Sequence, residues 1–330
     1  MPSPSQPLVS IVIPCYQAQR FLGAAVTSAL TQTYPHIEVV ATDDGSSDRT
    51  PELLAAYGDL VRVVTQDNKG LPGARNAAIR EARGELICLL DADDILLPPY
   101  VQAAVDVWAS AGTTRSFVTC DALLMSAAGI VPGRTVLPSG TPSPDRQRQH
   151  ILENNFVSGF AVFPRRMWEE IGGYDESMRV CEDYDFWARA IYAGWRAEYL
   201  TAQHALYRRV SGTLSTQSER MYAGEQEVLR HVAEQYADSL AAPERAFLEL
   251  RLEQGSAVQQ VDLGERALRR GDRAAAADHF ALAARLMPSS RRIRLKAELL
   301  RRLPAAGSVY ARRLATKDQE TGRTPEDTRS

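Results

Sequence analysis

Four apolar runs of strand length, separated by helical patterns, dominate the start of the chain. They are Leu8–Tyr16 (LVSIVIPCY), Ile37–Thr42 (IEVVAT), Leu60–Thr65 and Glu85–Leu90 (ELICLL). Between them Phe21–Thr31, Thr50–Tyr57 and Gly73–Arg83 carry helical spacing. The runs are rich in Val and Ile and do not alternate apolar with polar, so both faces of each strand are buried. Repeated strand–helix–strand units with right-handed crossovers then predict an α/β fold: a doubly wound, mostly parallel sheet with helices on both faces. Ligands of such sheets bind outside the carboxyl ends of the strands. The polar loops of this sequence fall there.

The remaining chain divides by composition. At 330 residues, roughly two domains of ~150 residues are expected. The segment Arg115–Thr216 is mixed. Val131–Pro144, with four prolines and two glycines, reads as a loop or flap. Val157–Pro164 reads as strand, and Arg166–Ile171 and Asp183–Tyr192 as helix, stopped by Gly172-Gly173 and Gly194. From about Gln217 onward strand signals vanish. Leu263–Met287, closed by Pro288, has the helix–turn–helix form of a single tetratricopeptide unit. One such unit cannot bury its own face, so it must pack on a neighbour. The reading is a first domain at 1–216, an α-helical appendage at 217–314 and a disordered polar tail at 315–330.

No apolar run reaches the ~18–20 residues of a membrane span. Met1–Pro7 lacks the basic and apolar regions of a signal peptide, so a cytoplasmic protein is expected. Cys15, Cys88, Cys120 and Cys181 show no paired spacing and are expected as reduced thiols rather than a disulfide or metal site. The formal charge of −3 gives no general attraction to nucleic acid. It is, however, an average. Gly264–Arg313 holds 13 Lys and Arg against 4 Asp and Glu, an excess of nine positive charges. Such basic helices suit the anionic inner leaflet of a membrane, or equally a solvated face whose arginine stems cover apolar surface.

Four polar clusters follow the apolar runs. Asp43-Asp44-Gly45-Ser46-Ser47-Asp48 can accept hydrogen bonds from a nucleobase or ribose, or simply turn and cap the next helix. Asp91-Ala92-Asp93-Asp94 puts three carboxylates in four positions. They repel unless something positive sits among them, and in an extended chain Asp91 and Asp93 share a side, which suits a hard divalent cation with diphosphate oxygens. In Asn68–Asn76 a Gly-rich turn opens a helix bearing Arg75 and Asn76. This could take phosphate or be a surface turn, and it is no P-loop. Glu182-Asp183-Tyr184-Asp185-Phe186-Trp187 opens a helix with acids beside aromatics. Aromatic neighbours can raise a carboxylate pKa toward that of a general base, though acids also complement a helix N-terminus. No histidine sits in a catalytic arrangement, and only His204 lies where it could add a metal ligand. No GxGxxG follows the first strand, which disfavours a dinucleotide oxidoreductase.

Taken in order, VSIVIPCYQAQRFL, EVVATDDGSSDRT, NKGLPGARNAAIREARGELICLLDADD, GFAVFPRRMWEEIGGYDES and CEDYDFWARAIYAGW resemble the family 2 glycosyltransferases, of the GT-A fold, from Val9 to about Ser215. The resemblance implies inverting, single-displacement transfer from a UDP-, GDP- or dTDP-linked sugar to a hydroxyl of a glycan or lipid-linked acceptor. It implies that Pro14, Tyr16, Asp44 and Arg75 hold the nucleotide, with Asp44 on the base. Asp91 and Asp93 would form the DxD-type motif, Asp93 binding Mn2+ or Mg2+ directly and Asp91 lying near ribose or metal. Asp183 would be the catalytic base, and Glu182 and Arg208 would contact acceptor or phosphate. The absence of QxxRW implies non-processive addition. Tyr207–Ser215 resembles the family's YR-h-x-G-S-L-S stretch, with Val210 where a histidine often lies. Two other classes stay in view. One is a non-catalytic adaptor built on a degenerate transferase domain. The other is a sugar-1-phosphate nucleotidyltransferase, which would need a basic Gly-rich loop where Pro14-Cys15-Tyr16-Gln17 stands.

Overall fold

The computed structural model describes residues 6–126, 129–137, 142–209, 218–302 and 310. The stretch Val210–Ser215 and the tail 315–330 lie outside the described residues. The chain forms two compact units, 1–236 and 237–330. The helix Ser218–Gln235, which composition groups with the appendage, falls in the first unit. Its Gly224 allows this: a Cβ there would meet Val180 Cγ2 at 2.6 Å, so only a bare α-carbon lets the helix approach so closely.

In the first unit the strands and helices run β1 (Val9–Cys15), α1 (Leu22–Leu30), β2 (Ile37–Asp43), α2 (Thr50–Ala55), β3 (Arg62–Thr65), α3 (Gly70–Glu81), β4 (Leu86–Leu89), β5 (Ile95–Leu96), α4 (Tyr100–Ser110), β6 (Ser116–Cys120), β7 (Leu123–Ser126), β8 (Gly129–Thr135), α5 (Gln147–Glu153), β9 (Val162–Pro164), α6 (Arg165–Ile171), α7 (Glu182–Tyr192), β10 (Arg196–Leu200), β11 (Ala205–Arg208) and α8 (Ser218–Gln235). Seven strands form one sheet in the order β10-β6-β9-β4-β1-β2-β3. The pairs β1–β2, β1–β4, β2–β3 and β6–β10 are parallel. Every residue of β1 is buried, as the unbroken apolar run requires. On one face Val9, Ile11 and Ile13 join Leu22 and Val26 of α1 and Val101 and Val105 of α4 in a single core. Phe163, Phe186, Trp187 and Tyr174 form a second, aromatic cluster, in which Tyr174 stacks on Phe186 at 4.2 Å between ring centroids. All four cysteines are free and buried.

Three features depart from the sequence expectation. Of Val157–Pro164 only Val162–Pro164 is strand, and it runs antiparallel between β4 and β6. The expected flap contains β8, which pairs with β7 at the edge of a four-stranded sheet ordered β5-β11-β7-β8. Its edge position tolerates Pro132, which could not donate to a second neighbour. The helix α3 starts at Gly70 rather than Gly73, because its first amides are capped from far away in sequence, as described below.

The second unit contains α9 (Ala242–Gln254), α10 (Ala257–Arg269), α11 (Arg273–Leu286) and α12 (Arg291–Arg302). The hairpin α10–α11 turns at Gly271, whose φ is +82°. Its core is Ala267, Leu268, Ala276 and Phe280, and Ala297 and Leu300 of α12 pack against it. Leu250 of α9 and Ile293 of α12 cover a neighbouring cluster of Ala257, Ala283 and Leu286. The lone hairpin therefore buries its faces on flanking helices.

Gly84, at the entry to β4, lies so close to β1 that an added Cβ would stand 2.6 Å from Ser10 Oγ and 2.8 Å from the Leu8 carbonyl oxygen. Ser10 belongs to the buried strand β1, and the Leu8 carbonyl just before it is held by the Leu86 amide, so neither can retreat cheaply. Gly84→Ala should destabilise the first unit by about 1–3 kcal/mol, read as a lowered urea midpoint with unchanged m value.

Candidate active site

The carboxyl ends of β1, β2 and β4 carry Tyr16, Asp43–Asp48 and Asp91–Asp94, on the sheet edge where ligands of such folds bind. Pro14 is buried within β1, opposite Thr42 of β2. Tyr16 is 55% exposed just past the strand, an open aromatic platform. The next residue, Gln17, has φ +51° and holds that conformation through its amide bond to Ser46 Oγ at 3.1 Å and its side-chain bond to Ser47 Oγ at 2.8 Å. Cys181, immediately before α7, is the other non-glycine residue with positive φ among those described, at +59°. Both strained residues flank this edge, where strain is retained only if the surroundings enforce it.

Asp44 is 2% exposed and fully engaged. Its Oδ1 accepts from Gln66 Nε2 at 2.7 Å and from the Lys69 amide at 2.8 Å, and its Oδ2 accepts from the Gly70 amide at 2.9 Å. Asp44 thus caps α3, supplying the acceptors that a local N-cap would give. The start of α3, read from sequence as a possible phosphate site, is already occupied by this carboxylate. Asn76 is likewise structural. Its amide nitrogen donates to the Tyr174 carbonyl and Glu176 Oε1, and its oxygen accepts from the Tyr174 amide and Trp168 Nε1, which uses all four bonds an Asn side chain can make.

Arg75 is 3% exposed and joins two of the acidic clusters. One terminal nitrogen donates to Asp91 Oδ1 at 2.9 Å and the other to Glu182 Oε1 at 2.8 Å. The guanidinium carbon lies 5.5 Å from the centroid of the Tyr174 ring. Asp91 and Glu182, at the end of β4 and the start of α7, are thereby drawn to one point.

The acids around this point are held in unequal states. Asp91 accepts the Asp94 amide in a turn, so Asp91–Asp94 is not extended as the same-side argument assumed. Asp93 is partly buried, and burial together with the Asp91 charge pushes its pKa up to about 6. Burial pushes Asp94 up as well, reinforced by Asp91 and Asp93, although its Oδ1 accepts the Arg208 amide at 2.8 Å. Arg208 also donates from Nε to the Asp93 carbonyl at 2.7 Å and lies over the Phe21 ring. It braces the acidic turn through the main chain. Asp183 is raised by burial against the opposing pull of Arg75, and its Oδ2 accepts from Asn155 Nδ2 at 3.1 Å. Asn155 sits in the irregular link between α5 and β9, and no periodicity or motif marks it. Asp185, the third acid of α7, turns away to bind Arg189 at 2.7 Å and His231 of α8 at 3.0 Å. His204 contributes its carbonyl oxygen to the Leu97 amide, and among the described residues no three His, Cys, Asp or Glu side chains converge as a metal cage.

Arg75→Ala would leave Glu182 buried and Asp91 partly buried without a cation. Asp91 retains 29% exposure, so the expected loss is near the low end for a broken buried pair, about 3 kcal/mol in chemical denaturation. Arg75→Lys keeps the charge but not the fork that reaches both partners, and should lose an intermediate amount.

The same arrangement of chain and fold recurs in known proteins. The family model for glycosyl transferase family 2 matches residues 10–172. The succinoglycan biosynthesis protein ExoO of Rhizobium meliloti is 30% identical over 304 residues, covering 87% of this chain and 86% of that protein. Chondroitin synthase of Escherichia coli is 32% identical over 186 residues, 56% of this chain but only 26% of that longer protein. Among solved structures, S. aureus TarS 1–349 in complex with UDP-GlcNAc superimposes with a TM-score of 0.60 at 16% identity, covering 96% of this chain and 93% of that one. The mannosyltransferase PcManGT from Pyrobaculum calidifontis in complex with GDP-Man and Mn2+ gives 0.56 at 19% identity, covering 94% and 89%. The two structures establish a shared fold, and the near full-length similarity to ExoO together with the family model shows that this chain belongs to glycosyl transferase family 2.

Proposed function

We propose that the chain transfers one or a few sugars, with inversion, from a UDP-, GDP- or dTDP-linked donor to a hydroxyl of a cell-surface glycan or lipid-linked precursor on the cytoplasmic side of a membrane. The observation that carries this reading is the Arg75 bridge between Asp91 and Glu182. It supports one reaction centre shared by the acidic turn after β4 and the acids opening α7. Donor and acceptor would meet across it.

In this reading the nucleotide lies over the ends of β1 and β2, with Tyr16 as its exposed neighbour. Pro14 and Asp44 shape that pocket from beneath, Asp44 by fixing the 66–70 turn and the first turn of α3. Asp93 fits a divalent cation. Burial, and after it the crowding of its carboxyl with those of Asp91 and Asp94, raises the Asp93 and Asp94 pKa values, and a cation would relieve the crowding. A Mn2+ or Mg2+ ion held by Asp93, with Asp91 and donor phosphates, would supply counter-charge for the departing diphosphate. Asp183 takes the proton of the acceptor hydroxyl as its oxygen bonds to the anomeric carbon. The bond from that carbon to the nucleoside diphosphate breaks and the diphosphate leaves with the electron pair. One base on the face opposite the leaving group is sufficient for inversion. Burial raises the Glu182 pKa, and the Arg75 guanidinium opposes that rise. Glu182 and Arg208 border the acceptor and phosphate sides.

A thermal-shift screen of UDP-, GDP- and dTDP-sugars with and without Mn2+ tests the donor class. Stabilisation by one nucleotide series, enlarged by Mn2+ and lost in Asp93→Ala, is the expected result. Asp183→Asn should lower kcat on the identified donor by about 10²–10⁴-fold while leaving donor binding intact, and wild-type turnover in that variant would refute the base assignment.

The pH dependence has a definite sign. Burial raises the Asp183 pKa, and a base must be deprotonated, so activity should fall as pH drops through that raised value. The Asn155 donor favours the charged form. Asn155→Ala should therefore move the acid limb of the kcat/KM profile to higher pH. A limb that stays in place would remove Asn155 from this role.

A further inference from the structure

The helix α12 has one face packed and the opposite face bare. Ile293, Ala297 and Leu300 pack toward α10 and α11. At ~100° per residue the opposite side presents Arg291, Leu295, Leu299 and Arg302 with the lone acid Glu298, which pairs with Arg302, and Arg292 at its margin. Leu295 is 61% and Leu299 40% exposed, and the three arginines are exposed around them. The helix RRIRLKAELLRR carries six Lys and Arg to one Glu, and no residue of it is fully buried. Among the described residues no helix is long and apolar enough to cross a membrane.

We infer that the outer face of α12 is a docking surface for an anionic lipid bilayer, with Leu295 and Leu299 entering the headgroup boundary and Arg291, Arg292 and Arg302 meeting lipid phosphates. The chemistry on the face selects this occupant. Arginine forks suit phosphate oxygens, and their stems can lie along the bilayer surface with the charge in the headgroup layer. Paired leucines between arginines are the arrangement that lies in an interface rather than across it. A second copy of the same face would set arginine against arginine. An acidic protein surface would use the arginines but would need a matching apolar socket for the leucines. The biological sense of the inference rests on the proposed lipid-linked acceptor, which a peripheral contact would bring within reach. The binding itself is independent of donor and acceptor.

The test is flotation of the full chain with phosphatidylcholine vesicles, with and without phosphatidylglycerol, in the absence of nucleotide sugar. Binding is expected on the anionic vesicles and not on the neutral ones, weakening as salt rises. The triple variant R291Q/R292Q/R302Q should reduce the partition coefficient on the order of a hundredfold. The variant L295S/L299S should reduce it about tenfold while keeping its charge and its helical circular dichroism. Equal flotation on both vesicle types, no flotation at low salt, or wild-type flotation by the leucine variant overturns the inference. So does concentration-dependent self-association, measured by light scattering, that the leucine variant abolishes. Transfer to a water-soluble acceptor is followed in parallel. Loss of flotation with intact transfer separates failure of docking from failure of the proposed reaction.

Discussion

The buried fork of Arg75 organises the first unit. Its partners Asp91 and Glu182 lie 16 and 107 residues away in sequence, at the end of β4 and the start of α7. Without the cation these carboxylates would repel each other, and burial of Glu182 would carry its full desolvation penalty. With it, α7 starts where β4 ends, and Asp183, one residue beyond Glu182, comes beside the acidic turn. The ring of Tyr174 under the guanidinium and the stacking of Tyr174 on Phe186 tie this pair to the aromatic cluster of α7. Site geometry and core packing are therefore one problem at this point of the fold.

Around the bridge, polar groups of the site are spent on architecture before any substrate arrives. Asp44 caps α3, Asn76 secures Tyr174 and Glu176, and Arg208 braces the turn at Asp93–Asp94. Such bonds immobilise the main chain from which Asp93 and Asp183 project. In the proposed reaction such positioned acids are worth more than mobile ones, because the cost of ordering them has already been met in folding. The positive φ values at Gln17 and Cys181 belong to the same picture.

The regular part of the fold was legible in the sequence. Runs of Val and Ile without alternation correctly indicated β1, β2 and β4 and their parallel pairing, since strands buried on both faces have no polar side to show. The C-terminal hairpin was legible from helical spacing around a glycine turn. The insertion of β9 was not. Three residues are too few to show a period, and an antiparallel strand between β4 and β6 depends on where α5 and the following loop deliver the chain. β8 was hidden by Pro132 and Gly133, which normally mark loops, and only its edge position makes them compatible with a strand. Within the site, Asp91, Asp93 and Asp183 were visible as clustered acids after apolar runs. Asn155 was invisible because its bond to Asp183 depends only on the distance the fold sets between them.

The sequence by itself determined the strand and helix segments, the sheet edge at which chemistry could occur, and the acidic residue types available there. These follow from local periodicity and from charge that cannot be buried unpaired. The tertiary structure alone decided how those acids are partnered. Arg75 was equally able to meet phosphate or carboxylate, and Asp44 to face a ligand or cap a helix. The choice depended on which groups the crossovers brought within hydrogen-bond distance, because pairing energies in a buried site act over a few ångströms whereas the sequence separations there run from 16 to 107 residues.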